Sequence, residues 1–286
     1  MVMMRIDALV VLALVVVGSI GSASVGRAHA ACEACRSLDG FVSPEEINDD
    51  IQRLVGKYQG GRGARNVTIQ KDRGVIETGL YPAFIDGGDC PEIDSEKWAI
   101  DYSHKRGNIP ALHKGIDIPQ PYGTPVLAVA DGVVVGRFEN VHNRKGIEVM
   151  LRHNPEQTWL PFWTYSQYTH LLEMSPLAIG ARVRIGDEIG KTSNTGKQGR
   201  RIRRDALHFA ILASLFPEWS NDGDVLTPKD ATFIDPNAFY RLEPPYESQA
   251  VGALPEDQRG TPVPYMTRDR VIVPAGSKRI WPYACR

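Results

Sequence analysis

Val126-Leu127-Ala128-Val129-Ala130-Asp131-Gly132-Val133-Val134-Val135 places two apolar, valine-rich runs on either side of an Asp-Gly pair. Branched side chains lose freedom in a helix and fit a pleated surface, and Asp-Gly supplies the backbone conformations of a two-residue turn. The stretch therefore predicts two strands joined as a hairpin. Residues 146–152 and 164–171 read as further strands, and Val183-Arg184-Ile185-Gly186-Asp187-Glu188-Ile189-Gly190 as another pair about a tight turn. Serial strands with short links and no alternating crossover helices predict an all-β domain, a small antiparallel sheet or sandwich, rather than a doubly wound fold. This texture runs from about Leu80 to Phe216, which sets the main domain at residues 80–216.

Upstream, Ser43-Pro44-Glu45-Glu46 is a capping-box start with proline at the first helical position. Ile47, Ile51, Leu54 and Val55 follow at helical spacing until Gly60-Gly61, which predicts one amphipathic helix in an N-terminal extension of residues 31–79. Arg5, the apolar run from Leu9 to Val17, and Ala28-His29-Ala30 read as a signal peptide over residues 1–30. The run is shorter than the roughly 20 residues of a membrane span, so no stable span is expected after cleavage. Downstream, residues 217–286 carry Pro244-Pro245, Pro255, Pro262, Pro264, Pro274 and Pro282, which predicts an extended, mostly irregular C-terminal tail that wraps the domain.

A formal net charge of -1 with 23% charged residues gives no sign of a polyanion binder, so nucleic acid is not an expected partner. All four cysteines, Cys32, Cys35, Cys90 and Cys285, lie beyond the cleavage point. An even number in an exported chain favours disulfides over a metal ribbon, and Cys32-x-x-Cys35 has no second such pair to complete one. Three pairings are open; the reading adopted is a bridge from Cys285 to an upstream cysteine.

His113-Lys114-Gly115-Ile116-Asp117-Ile118-Pro119 holds a histidine and an aspartate four apart. Gly115, the two isoleucines and Pro119 disfavour a helix. On a strand, His113, Gly115 and Asp117 share a face, and the missing side chain at Gly115 is expected to leave room for an ion. Imidazole and carboxylate donors suit zinc, and a third ligand with one open position makes a catalytic site. His208, a polar ring in the apolar run Leu207-His208-Phe209-Ala210-Ile211, is the candidate third ligand. His170, in Tyr168-Thr169-His170-Leu171, is the candidate proton acceptor. Taken singly, each of these is more often an ordinary hydrogen-bonded residue.

Their order and surroundings are specific. His113-x-Gly115-Ile116-Asp117-Ile118 is followed by Thr124-Pro125-Val126 and Ala130-Asp131-Gly132-Val133-Val134, then by Tyr168-Thr169-His170-Leu171. Ile185-Gly186-Asp187-Glu188-Ile189-Gly190, Ser193-Asn194-Thr195-Gly196 and Leu207-His208-Phe209 complete the series. In this the chain resembles the lysostaphin-type metallopeptidases of family M23, which include LytM-like cell-wall hydrolases. The resemblance implies an antiparallel β domain with a groove holding one Zn2+, bound here by His113, Asp117 and His208, with His170 as the catalytic histidine. It further implies hydrolysis of peptide bonds in peptidoglycan cross-links or stem peptides, by a protein exported to the periplasm or the extracellular cell envelope.

One position departs from the family pattern. The family ends in His-x-His, with the first histidine catalytic, whereas this chain reads Ala206-Leu207-His208. Loss of a positioned acid or base costs about 10²–10⁴ in rate. The competing expectation is therefore a catalytically impaired zinc-binding module that holds wall peptide or regulates another hydrolase. His104, His142 and His153 are the available substitutes. Lys197, Arg200, Arg201, Arg203 and Arg204 form a basic cluster read as a solvated loop or a handle for anionic wall polymer. Trp159, Phe162, Trp163 and Tyr165 are read as core residues for the most part, with groove lining as the alternative.

Overall fold

Branched and aromatic residues dominate the segments that become strands. A computed structural model of the protein describes residues 66–92, 102–104, 111–140, 145–196, 204–217, 219–221 and 226–286. After a short helix, Val67–Asp72, come β1 (Tyr81–Phe84), β2 (Ile116–Pro119), β3 (Pro125–Leu127), β4 (Gly132–Asn140) and β5 (Gly146–His153). The chain continues through β6 (Trp163–Leu171), β7 (Arg182–Val183), β8 (Glu188–Lys191), β9 (Ala206–Ser214), β10 (Trp219–Asn221) and β11 (Leu226–Pro228). It ends with β12 (Thr232–Ile234), β13 (Gly260–Val263), β14 (Tyr265–Thr267), β15 (Ile272–Val273) and β16 (Ala284–Cys285). The fold is all-β, as expected. The expected signal peptide, the helix expected from Ser43, Cys32, Cys35, His142, Lys197, Arg200, Arg201 and Arg203 lie outside the described residues.

Seven strands form the principal sheet in the order β12-β9-β6-β5-β4-β7, with β2 also on β9. β6 occupies one edge of β9, and β2 and β12 share the other, β2 beside residues 206–209 and β12 beside residues 211–213. Every pairing in this sheet is antiparallel. Strand alternation sends Ile116, Ile118, Leu207, Phe209, Tyr168, Val149 and Leu151 into one fully buried layer. The opposite face carries Asp117, His208, Thr169 and Glu148.

The Asp131-Gly132 turn is not a hairpin. β3 pairs with β8, whereas β4 pairs with β5 and β7. The turn predicted inside residues 183–190 behaves the same way, because β7 and β8 belong to different sheets. Both segments are corners of one bent two-stranded ribbon. Ala128 N donates to Asp187 O (2.8 Å), Gly186 N to Ala128 O (2.9 Å), and Ile185 N to the Asp131 carboxylate (2.8 Å). Asp-Gly chemistry makes a sharp bend, but the partner of each run is decided by long-range pairing that local sequence does not encode.

A buried network fastens this corner to the main sheet. His153 Nδ1 donates to the Asp131 carbonyl (2.6 Å), and its Nε2 lies 2.7 Å from Ser166 Oγ. Ser166 Oγ is in turn 3.1 Å from the Tyr168 hydroxyl, which accepts from Val129 N at 3.1 Å. Burial pushes the His153 imidazole down to about 4, so the ring is neutral at physiological pH.

The proline-rich segment is mostly irregular in backbone yet is built into the core. Trp281 and Tyr283 are among the largest fully buried side chains, Tyr283 reaching Thr192 with its hydroxyl (2.6 Å). Burying such a ring contributes on the order of 2–3 kcal/mol, enough to hold a strap that makes few ladder bonds. Cys90 and Cys285 are joined by a disulfide, the expected bridge from the last cysteine to an upstream one.

Candidate metal centre

His208 sits on β9 between two partner strands, opposite Asp117 on β2 and opposite Thr169 on β6. Register partners on one face of an antiparallel pair are side-chain neighbours, so this pairing alone brings carboxylate and imidazole together. Asp117 Oδ1 lies 2.9 Å from His208 Nδ1 and 3.2 Å from His113 Nε2, and the two imidazole nitrogens are 2.9 Å apart. Ligand atoms of His113, Asp117 and His208 all fall within 4.8 Å of one another. Both rings are buried, while the Asp117 side chain keeps 21% of its surface. Burial works to raise the Asp117 carboxyl, but His113 and His208 overcome it and hold the group well below the usual carboxylate range.

His113 precedes β2 rather than lying within it, which corrects the expectation that His113, Gly115 and Asp117 share one strand face. Its backbone is held instead by neighbouring segments: His113 N donates to His104 O (2.9 Å), and His113 O accepts from Ser103 N (2.7 Å). Leu112 N donates to the buried Gln70 Oε1 at 2.7 Å. Gly115 also serves a different purpose from the one expected. A Cβ there would stand 2.3 Å from the Phe209 carbonyl oxygen, so the glycine lets the chain approach β9 and makes no cavity for an ion.

His170 lies at the end of β6 beside the cluster, its ring centroid 6.1 Å from that of His208. His170 Nδ1 is 3.0 Å from the Thr195 carbonyl, which can only accept, so Nδ1 carries the proton and Nε2 keeps a lone pair. Thr195 also donates its hydroxyl to Leu171 O (2.7 Å) and accepts from Ile147 N (3.1 Å). Gly146, at φ +70°, packs directly against the Thr195 carbonyl group. Thr195 and Gln70 are the site-building residues that sequence reasoning passed over. Thr195 stood in a quoted motif without a role, and Gln70 gives no signal because its partner is a backbone amide 42 residues away.

Of the substitute histidines, His153 is committed to the core network by both ring nitrogens, and His104 braces His113 through its carbonyl. Phe162 and Tyr165 are buried as expected. Trp163 lies under the Arg152 guanidinium (4.9 Å), and Trp159 is 64% exposed with Lys278 5.8 Å from its ring centroid.

A sequence model described as Peptidase family M23 matches residues 111–218, the interval that holds all four site residues. This segment is an M23 peptidase domain. The chain is 33% identical over 102 residues to the peptidoglycan DD-endopeptidase ShyC of Vibrio cholerae, covering 36% of this chain and 20% of that protein. It is 33% identical over 154 residues to the DD-carboxypeptidase/endopeptidase Mpg of Neisseria meningitidis, covering 53% and 30% respectively. The chain thus spans less than a third of the length of either curated relative. The catalytic domain of the antimicrobial peptidase lysostaphin from Staphylococcus simulans aligns at 24% identity and a TM-score of 0.32, over 43% of this chain and 80% of that one. Among the described residues no helix is long and apolar enough to cross a membrane.

Proposed function

We propose that this chain is a zinc-dependent endopeptidase that hydrolyses peptide bonds of peptidoglycan in the cell envelope. The convergence of His113 Nε2, Asp117 Oδ1 and His208 Nδ1 carries the reading. Two imidazole nitrogens facing each other at 2.9 Å, with one carboxylate oxygen in reach of both, form a donor set suited to a borderline cation. These three side chains would hold zinc, which when bound polarises a carbonyl and acidifies water.

The remaining chemistry belongs to the chain. Thr195 holds the Nδ1 proton of His170, which leaves Nε2 as the basic atom of a ring centred 6.1 Å from that of His208. In this mechanism it takes the proton from the attacking water and returns it to the leaving amine. Asp117, held ionised, supplies the one negative charge of the donor set. Support for a wall substrate comes from the peptidoglycan DD-endopeptidase among the relatives and from the signal-like residues 1–30.

A second reading rests on Ala206. It stands two residues before His208 on β9, opposite Pro119, and presents a methyl group where the family pattern has a catalytic histidine. On this reading the domain binds wall peptide, or regulates another hydrolase, without cutting.

The deciding experiment measures zinc content and release of soluble peptide from purified peptidoglycan on one sample, with His113→Ala as control. Zinc near one per chain with products that vanish in the control supports the enzyme. Bound zinc without products, unchanged by Ala206→His, leaves the binding module.

A further inference from the structure

β6 does not run regularly past the metal centre. Ile147 pairs with Leu171, but the next residue of β5, Glu148, pairs with Thr169. His170 is thus the extra residue of a β-bulge, and its φ is +69°. In an unbulged strand Thr169 would face the metal centre and His170 would face the apolar layer with Tyr168, because successive side chains alternate. The bulge is what brings His170 to the face that carries His208.

Something must hold this register, because a one-residue slip would turn the histidine into the core. On the near side, one side-chain row crosses four strands: Asp117 on β2, His208 on β9, Thr169 on β6 and Glu148 on β5. Thr169 Oγ1 donates to Glu148 Oε2 at 3.3 Å. On the far side, His170 N donates to the Lys145 carbonyl at 3.2 Å. Lys145 Nζ reaches back to Glu148 Oε2 at 3.5 Å, so one ion pair joins the two sides of the bulge.

The Glu148 side chain has no exposed surface and that of Lys145 only 18%. Burial pushes the Glu148 carboxyl up and the Lys145 ammonium down, and each holds the other's charge. A buried ion pair is a poor stabiliser compared with apolar residues of the same volume; its best-attested use is to fix register. We propose that Glu148, with Lys145 and Thr169, is a positioning residue that locks the bulge and so aims His170 at the metal centre. The inference rests on His170 being the proton acceptor of the proposed reaction.

The test uses the full chain, zinc-loaded, in three forms: Thr169→Val, Glu148→Leu and Glu148→Gln. The first readout is the NMR signal of the His170 Nδ1 proton, which its bond to Thr195 protects from exchange. The second is the split of kcat and KM on peptidoglycan. Thr169→Val and Glu148→Leu are expected to lose the protected proton and about 10–100-fold in kcat, with KM and zinc content unchanged. Glu148→Gln keeps an acceptor for Thr169 but gives up the charge that holds Lys145, and is expected to recover part of both losses.

A protected proton and wild-type kcat in folded Thr169→Val would overturn the proposal. So would a protected proton and wild-type kcat in folded Glu148→Leu. If Glu148→Leu does not fold, the near-isosteric Thr169→Val decides alone. If the wild type hydrolyses nothing, the proposed function fails, while the proton signal still decides the positioning role.

Discussion

Asp117 and His208 face each other across the β2–β9 ladder as register partners, with Oδ1 and Nδ1 2.9 Å apart. The same carboxylate oxygen is 3.2 Å from His113 Nε2, so it is the shared neighbour of both rings. Asp117→Ala is accordingly expected to reduce bound zinc from near one per chain to a small fraction. A ligand at 100 times its Kd stabilises by about 2.7 kcal/mol, so a chelator should lower the Tm of the wild type and leave that of the variant unmoved. Full zinc occupancy in Asp117→Ala would exclude this cluster as the metal centre.

Ala206 lies on the same face of β9 as His208, partly exposed, with Ser193 O accepting from its backbone amide at 3.1 Å. Ala206→His adds an imidazole on the face that carries His208 without disturbing a ladder bond. Turnover on peptidoglycan should rise by about 10²-fold or more, the return expected from one positioned acid or base. An unchanged kcat with normal zinc content would show that the chain already handles the second proton by another route.

His153 is neutral in the fold and ordinary in the unfolded chain. Its folded value of about 4 lies below the unfolded value near 6.5, so between these limits only the unfolded state gains a proton. Stability is therefore level above about pH 6.5 and falls as pH drops toward 4, by about 3 kcal/mol over the whole window. Urea unfolding at a series of pH values should show this loss in the wild type and a flatter profile in His153→Gln. Equal slopes would mean that other groups set the acid limb.

The Cys90–Cys285 disulfide closes a loop of 195 residues and fastens a strap that carries Trp281 and Tyr283 into the core. Loop-closure arguments give about 5 kcal/mol for a bridge of this span. Cys90→Ser with Cys285→Ser should lower the denaturant midpoint accordingly and open the C-terminal segment to limited proteolysis. A protease-resistant C-terminus at unchanged midpoint would show that ring burial alone holds the strap.

Much of this was legible in the chain itself. The valine-rich runs predict strands because branched side chains favour the pleat whatever their partner, and the strands appear within one residue of the expected residues 146–152 and 164–171. His208 was readable because a polar ring in an apolar segment needs a reason to be there, and His113 and Asp117 because their spacing and order match the motifs of the family the chain resembles. Asp131-Gly132 was misread as a hairpin because a local turn signal says that the chain bends and not which strand receives it.

What the sequence by itself determined is therefore the all-β class, which follows from residue chemistry and period, and the candidate ligands and the departure at Ala206, which follow from motifs shared with the family it resembles. Tertiary structure alone decided the bent ribbon, the purpose of Gly115, the hold of Gln70 and Thr195, and the bulge that turns His170 toward His208. These depend on contacts between residues tens of positions apart. Such contacts are set by register and packing, which no local pattern records.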